Sequence, residues 1–241
     1  ELVGQKLPIS KKKGDIFFPS DLETQAATPR AYSFGQPFGL PVRYHDISTF
    51  SKTSNLDLVE IHLSYKDLEV DLDVVIPERQ PIGLVIHAPE LFAGDHTLDL
   101  STADADYRQH SIQALQRVVD ISKDLRERFN CDEPVLLVTN VGGFSEHHHL
   151  DDQEKQPLRH RLIQSLDKIS TTNEVEIIPQ TMPPFPWHFG GQRYHNLFVD
   201  ADFIQSFHDD TGMRVCLDVS HSKLACNHLD ASFSEFLKKI L

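Results

Sequence analysis

Six places along the 241 residues of this chain put a titratable or amide side chain at the end of a short apolar run. They hold His45 with Asp46, His62, His87 with Glu90, Asn140, Gln180, and Asp218 with His221. An imidazole there can shuttle a proton or ligate a metal. A carboxylate can act as general acid or base. Asp218-Val219-Ser220-His221 could place a carboxylate and an imidazole on one cation such as Zn²⁺ or Mn²⁺. The same spacing equally suits a carboxylate capping a helix N-terminus beside a hydrogen-bonded histidine. Spacing alone does not choose. His87, in Val85-Ile86-His87-Ala88-Pro89-Glu90, reads as a base, a ligand or a structural histidine, and only company at the other strand ends favours the first two.

A second group lies in the long segment Pro179–Gln192. Its prolines, glycines and aromatics describe a stiff ordered loop, too long and too aromatic for a simple connection. Trp187 and Phe185 could stack on the apolar face of a sugar ring, with Gln180, His188, Gln192 and His195 reaching its hydroxyls. The alternative is a loop that fills the mouth with its own rings. His147-His148-His149 reads as a solvated loop, because consecutive side chains diverge. Cys216, His221, Cys226 and His228 match no zinc-ligand spacing, and no G-x-S-x-G elbow marks a serine nucleophile.

These residues need strands to carry them. Short runs rich in Val, Ile and Leu occur at Leu40–Asp46, Leu56–Leu63, Ile82–His87, Pro134–Asn140, Val175–Gln180 and Met213–Asp218. Helical spacing covers Ala105–Phe129, about Pro157–Ile169, Asp200–Asp209 and Ser232–Leu241. Alternation of strands and helices predicts a parallel sheet. The chemically capable residues fall at the C-terminal ends of nearly every strand. In a (β/α) barrel those ends converge on one mouth, whereas an open sheet would spread them along an edge. No glycine-rich nucleotide fingerprint follows any strand.

The formal net charge is −13. Phosphate backbones and anionic membrane surfaces need basic partners, so neither nucleic acid nor membrane is expected. Three cysteines suggest reduced thiols in a cytoplasmic protein. The first residues lack the apolar run of a signal peptide. Residues 1–37 are polar and proline-containing, with Lys11-Lys12-Lys13 as a solvated stretch. The start at Glu1 and the stop just after a helical pattern suggest a piece of something longer.

Several stretches together resemble one family. They are Gly39–Asp46, Glu60–Leu68, His87–Phe92, the Gln180–Asn196 loop and Cys216–Leu224. They look like the xylose isomerase-like sugar phosphate isomerase/epimerase barrel fused behind N-acetylneuraminate (sialic acid) synthase family enzymes. Lys13–Ile16 and Asp21-Leu22 resemble the end of the SAF domain of such synthases. The resemblance implies an α/β fold, a TIM-type barrel over 38–241 truncated at the C-terminus, behind a SAF-like remnant at 1–37. It implies a sugar or sugar-phosphate isomerase or epimerase active in nonulosonic acid synthesis, next to a synthase domain. A non-catalytic sugar-binding module of the synthase is the alternative. An AP endonuclease, from the same superfamily, conflicts with the acidic charge. By similarity a divalent ion (Zn, Mn, Co or Mg) is expected on Asp218, His221 and Gln180. His87, Glu90 and His62 would move protons, and His45, Asn140, Gln180, Trp187, His188 and Gln192 would contact substrate. Two positions depart from the pattern: Gln180 where a metal-binding Glu is usual, and Asn140 where His is common.

Overall fold

The computed structural model describes residues 7, 10–16, 33–186 and 193–241. Two compact units divide the chain, Glu1–Gln36 and Pro37–Leu241. In the first unit the described residues show Lys12 and Lys13 exposed, in a turn closed by Asp15 N–H on the Lys12 carbonyl. The rest of the SAF-like stretch, including Asp21 and Leu22, lies outside the described residues.

In the second unit the strands are β1 (Gly39–Val42), β2 (Leu58–His62), β3 (Gly83–His87), β4 (Leu91–Phe92), β5 (His96–Thr97), β6 (Val135–Thr139), β7 (Phe144–Ser145), β8 (Val175–Pro179) and β9 (Tyr194–His195). The helices are α1 (Ile47–Thr53), α2 (Leu72–Val75), α3 (Ala105–Arg126), α4 (Asp152–Leu166), α5 (Ala201–Thr211), α6 (Val219–His228) and α7 (Phe233–Ile240). Five strands form one parallel sheet in the order β1-β2-β3-β6-β8. A bridge from Gln180 to Cys216 adds the trace of a sixth. Arg214 pins this sixth segment to β8 by donating to the Glu176 carboxylate at 2.7 Å.

That order never reverses along the chain. Right-handed crossovers therefore place every helix on the same face, and the sheet is a barrel wall rather than a doubly wound sheet. Burial follows the two-residue period of a strand. On β2 and β3, Val59, Ile61, Leu84 and Ile86 are buried, and their neighbours Leu58, Glu60, His62, Val85 and His87 are half-buried on the other face. Ile112, Leu115, Val118, Val119 and Leu125 of α3 join the first set in the core. The second set faces the barrel interior.

Four departures from the sequence expectations stand out in the second unit. The strand expected at Met213–Asp218 contracts to one bridge at Cys216. Helix α4 begins at Asp152 rather than near Pro157, because Asp151 and Glu154 close a capping box over a polar first turn with no apolar rhythm. It ends at Leu166, three residues early. Helix α6 has no counterpart among the expected helices. Its buried face is Ser222, Ala225 and Cys226, small residues at helical spacing that leave little hydrophobic signal.

Candidate functional site

Parallel pairing places His62 directly beside His87. In-register residues of neighbouring strands point the same way, so both rings enter the interior. They stack with centroids 4.5 Å apart and planes 20° apart. Glu60, two residues before His62, shares its face, and His62 Nε2–H donates to Glu60 Oε1 at 2.5 Å. This bond, set against partial burial, holds the Glu60 carboxyl below its ordinary value. Arg43 donates to the His62 carbonyl and lies 3.5 Å from Asp67, which braces the end of β2.

Two strands further along, Gln180 extends the inward row of β8. Adjacent strands are about 4.8 Å apart, so side chains from β3 and β8 meet above β6 across roughly 10 Å. Gln180 Oε1 lies 2.9 Å from His87 Nε2. Its amide nitrogen donates to Asp218 Oδ2 at 3.2 Å and lies 3.4 Å from His221 Nδ1. Because a carboxylate only accepts, Asp218 fixes the amide with its nitrogen inward. Gln180 Oε1 then faces His87 Nε2 as an acceptor, and the Ala88 carbonyl faces His87 Nδ1 at 3.0 Å, so both ring nitrogens meet an oxygen. Asp218 also caps α6, taking the His221 backbone N–H on Oδ1 at 2.8 Å. Of the two readings of the Asp-x-x-His spacing, the helix cap is present: one oxygen caps α6 and the other accepts from Gln180. Thr181 ties the corner together. Its hydroxyl accepts from the Asp218 N–H at 2.9 Å, and its carbonyl accepts from His221 Nδ1–H at 3.0 Å.

The structure thus joins His62, His87, Gln180, Asp218 and His221 in one continuous path of contacts at the C-terminal ends of the strands. Asn140 follows β6 at the same end. It is buried, its Oδ1 accepts from Gly142 N–H at 2.9 Å, and its Nδ2 has no partner among the described residues. Two expected residues lie off this path. His45 lies in the short turn after β1 with its side chain 81% exposed toward Asp46. Glu90 sits just before β4, its carbonyl accepting from Leu98 N–H at 3.0 Å. Trp187, His188 and Gln192 lie outside the described residues.

Phe185, expected to offer its ring to a sugar, packs against His149, Tyr194 and His228 at 4.8–6.2 Å. His195 packs on Phe144, with Nδ1 2.8 Å from the Pro183 carbonyl. His149 corrects the picture of a wholly solvated triple histidine: His147 and His148 are exposed, but His149 is half-buried among those rings. Burial, reinforced by His228, lowers its pKa. Cys216 is no nucleophile. Burial, with Glu60 and Asp218 nearby, pushes its thiol up to about 11, so it stays protonated at neutral pH.

A divalent ion needs several converging acceptor atoms. Among the described residues no three His, Cys, Asp or Glu side chains form a metal-holding group. At the expected position only Asp218 supplies charge. The Gln180 amide presents N–H there, and His221 Nδ1 presents its proton to Thr181. The arrangement as it stands does not fit a divalent ion.

Glu60, Thr181 and Arg43 were not anticipated from the sequence. Glu60 was legible: it stands two residues before His62 on a strand, hence on the same face.

No family model matches the chain, and no curated protein matches it. Solved structures do. A D-tagatose 3-epimerase-like protein superposes with TM-score 0.53 at 16% identity, over 83% of this chain and 70% of that one. An L-ribulose 3-epimerase gives 0.52 at 16%, over 83% and 66%. Endonuclease IV from Thermus thermophilus gives 0.51 at 13%, over 85% and 71%. At these identities the likeness establishes the fold: this chain spans about two thirds of each structure, as part of a TIM-type barrel.

Proposed function

We propose that the barrel mouth binds a sugar or sugar phosphate and isomerises or epimerises it. The observation that carries this reading is the path Glu60–His62–His87–Gln180–Asp218/His221, which lines one interior face with proton-transfer groups and hydroxyl partners. An imidazole at His62, through the nitrogen not bonded to Glu60, or at His87 once a bound ligand has displaced Gln180 from Nε2, takes the proton from the carbon next to a sugar carbonyl, giving an enediolate. Return of the proton to the former carbonyl carbon, with the hydroxyl proton passing to the other enediolate oxygen, isomerises the sugar; delivery of a proton to the original carbon from the opposite face, by a second donor there, epimerises it. Glu60 orients His62 and compensates the positive charge that the ring gains. Gln180, Asp218 and His221 hold hydroxyl or carbonyl oxygens, and Asn140 Nδ2 is a buried donor at the same end of the sheet. Arg43, half-exposed beside His62, suits a phosphate. The names of the two epimerase neighbours support a sugar ligand, and the acidic net charge weighs against nucleic acid. The setting we propose is cytoplasmic synthesis of nonulosonic acids, in company with a synthase domain.

A second reading, a non-catalytic sugar-binding module, is favoured by the amides of Gln180 and Asn140. Neither transfers a proton. Histidine ring signals, assigned with His62→Gln and His87→Gln, should shift when D-tagatose, L-ribulose or their phosphates are titrated into the chain. If every sugar leaves both rings unmoved, both readings fail.

A further inference from the structure

Three polar atoms face one another where β8 meets the bridged sixth segment. The Gln180 amide nitrogen is 3.2 Å from Asp218 Oδ2 and 3.4 Å from His221 Nδ1, and the last two are 3.6 Å apart. Ligands about 2.1 Å from a tetrahedral ion sit about 3.4 Å from one another. The triangle therefore has the size of a cation site while its chemistry is the reverse of one. Two of its three corners present protons: the Gln180 amide, oriented by Asp218, and His221 Nδ1, held by the Thr181 carbonyl at 3.0 Å. Only Asp218 carries negative charge.

We infer that the Gln180 amide takes the place of a divalent ion at this mouth, and that this one residue keeps the site free of metal. A carboxylate at position 180 would stand about as far from Asp218 as the amide now does. Two carboxylates that close cannot both ionise unless a proton or a cation lies between them. The amide removes that need by donating to Asp218 and turning its oxygen to His87. Ligand recognition here is then by hydrogen bonds to hydroxyl and carbonyl oxygens, and it is indifferent to chelators. That last consequence rests on the sugar reading; the exclusion of metal does not.

The test is calorimetric titration of the chelator-treated full chain with Mg²⁺ and Mn²⁺. These oxygen-preferring ions limit interference from the exposed His147 and His148. Wild type should show no saturable binding at the mouth, measured as no difference from Asp218→Asn. Gln180→Glu should gain one site, bound at least about 100-fold more tightly than any wild-type binding, and Gln180→Glu/Asp218→Asn should lose it. Should Gln180→Glu fold poorly alone, Mn²⁺ should raise its melting temperature and leave that of wild type unchanged. Wild-type binding that Asp218→Asn abolishes overturns the inference. So does a Gln180→Glu protein that neither binds nor is stabilised by either ion. Sugar titrations with and without chelator separate the outcomes: loss of the sugar reading with metal gained in Gln180→Glu leaves this inference standing.

Discussion

Glu60 and His62 are the tightest side-chain pair at the mouth, and their geometry makes a prediction about acid. The Glu60 carboxyl is held below its ordinary value, first by the His62 bond. A carboxyl depressed by folding adds stability above its unfolded pKa and loses that contribution as pH falls through its folded value. Both side chains are a third or more exposed, so solvent screening keeps the effect small. Chemical denaturation of wild type and Glu60→Gln from pH 7 to pH 3 should show wild type more stable at neutrality and the gap closing below the ordinary glutamate range. A gap that persists unchanged into acid would mean that the ion pair is not what separates them. The pair was within reach of the sequence, since alternate strand residues share a face. What the sequence could not supply was register: only the pairing of His62 with His87 turns two strand-end histidines into a stack.

At the scale of elements, α6 shows why part of the site was illegible. A helix whose buried face is Ser222, Ala225 and Cys226 has almost no apolar rhythm, so the cap reading of Asp218 had no expected helix to decide it against the cation reading. The strands of the parallel sheet, with runs of Val, Ile and Leu buried against α3, were placed to within a few residues, and their order in the sheet comes from the structure. Glu90 lies off the path for a related reason. A residue three positions past a strand end belongs to whatever turn follows, and here that turn leads into the β4–β5 hairpin. The double duty of Asp218 can be divided experimentally. Asn is about as good an N-cap as Asp, whereas Ala costs about 1 kcal/mol. Thermal melts should therefore show Asp218→Ala clearly destabilised and Asp218→Asn close to wild type. Equal losses in the two variants would place the stabilising role of Asp218 in its charge rather than in the cap.

Across the whole molecule, five strands in unbroken order and a sixth bridged at Cys216 form a curved wall whose helices lie outside. The inner face collects the inward residues of four segments that are distant in the chain, and the mouth comes from that convergence, not from any local motif. Among the described residues no helix is long and apolar enough to cross a membrane. The barrel fold is shared with epimerases and with an endonuclease alike, so activity has to be argued from the mouth. The most direct measurement is exchange with solvent. The chain is incubated in D₂O with each ketose that shifts the mouth histidines, and proton NMR follows the position next to the carbonyl. Wild type should replace that proton with deuterium and form the isomer or epimer. Substituting His87 or His62 by Asn should slow exchange by about 100-fold or more for whichever ring is the base, the usual contribution of a positioned general base. Sugars that bind at the mouth but never exchange, or exchange undiminished in both variants, would contradict the account.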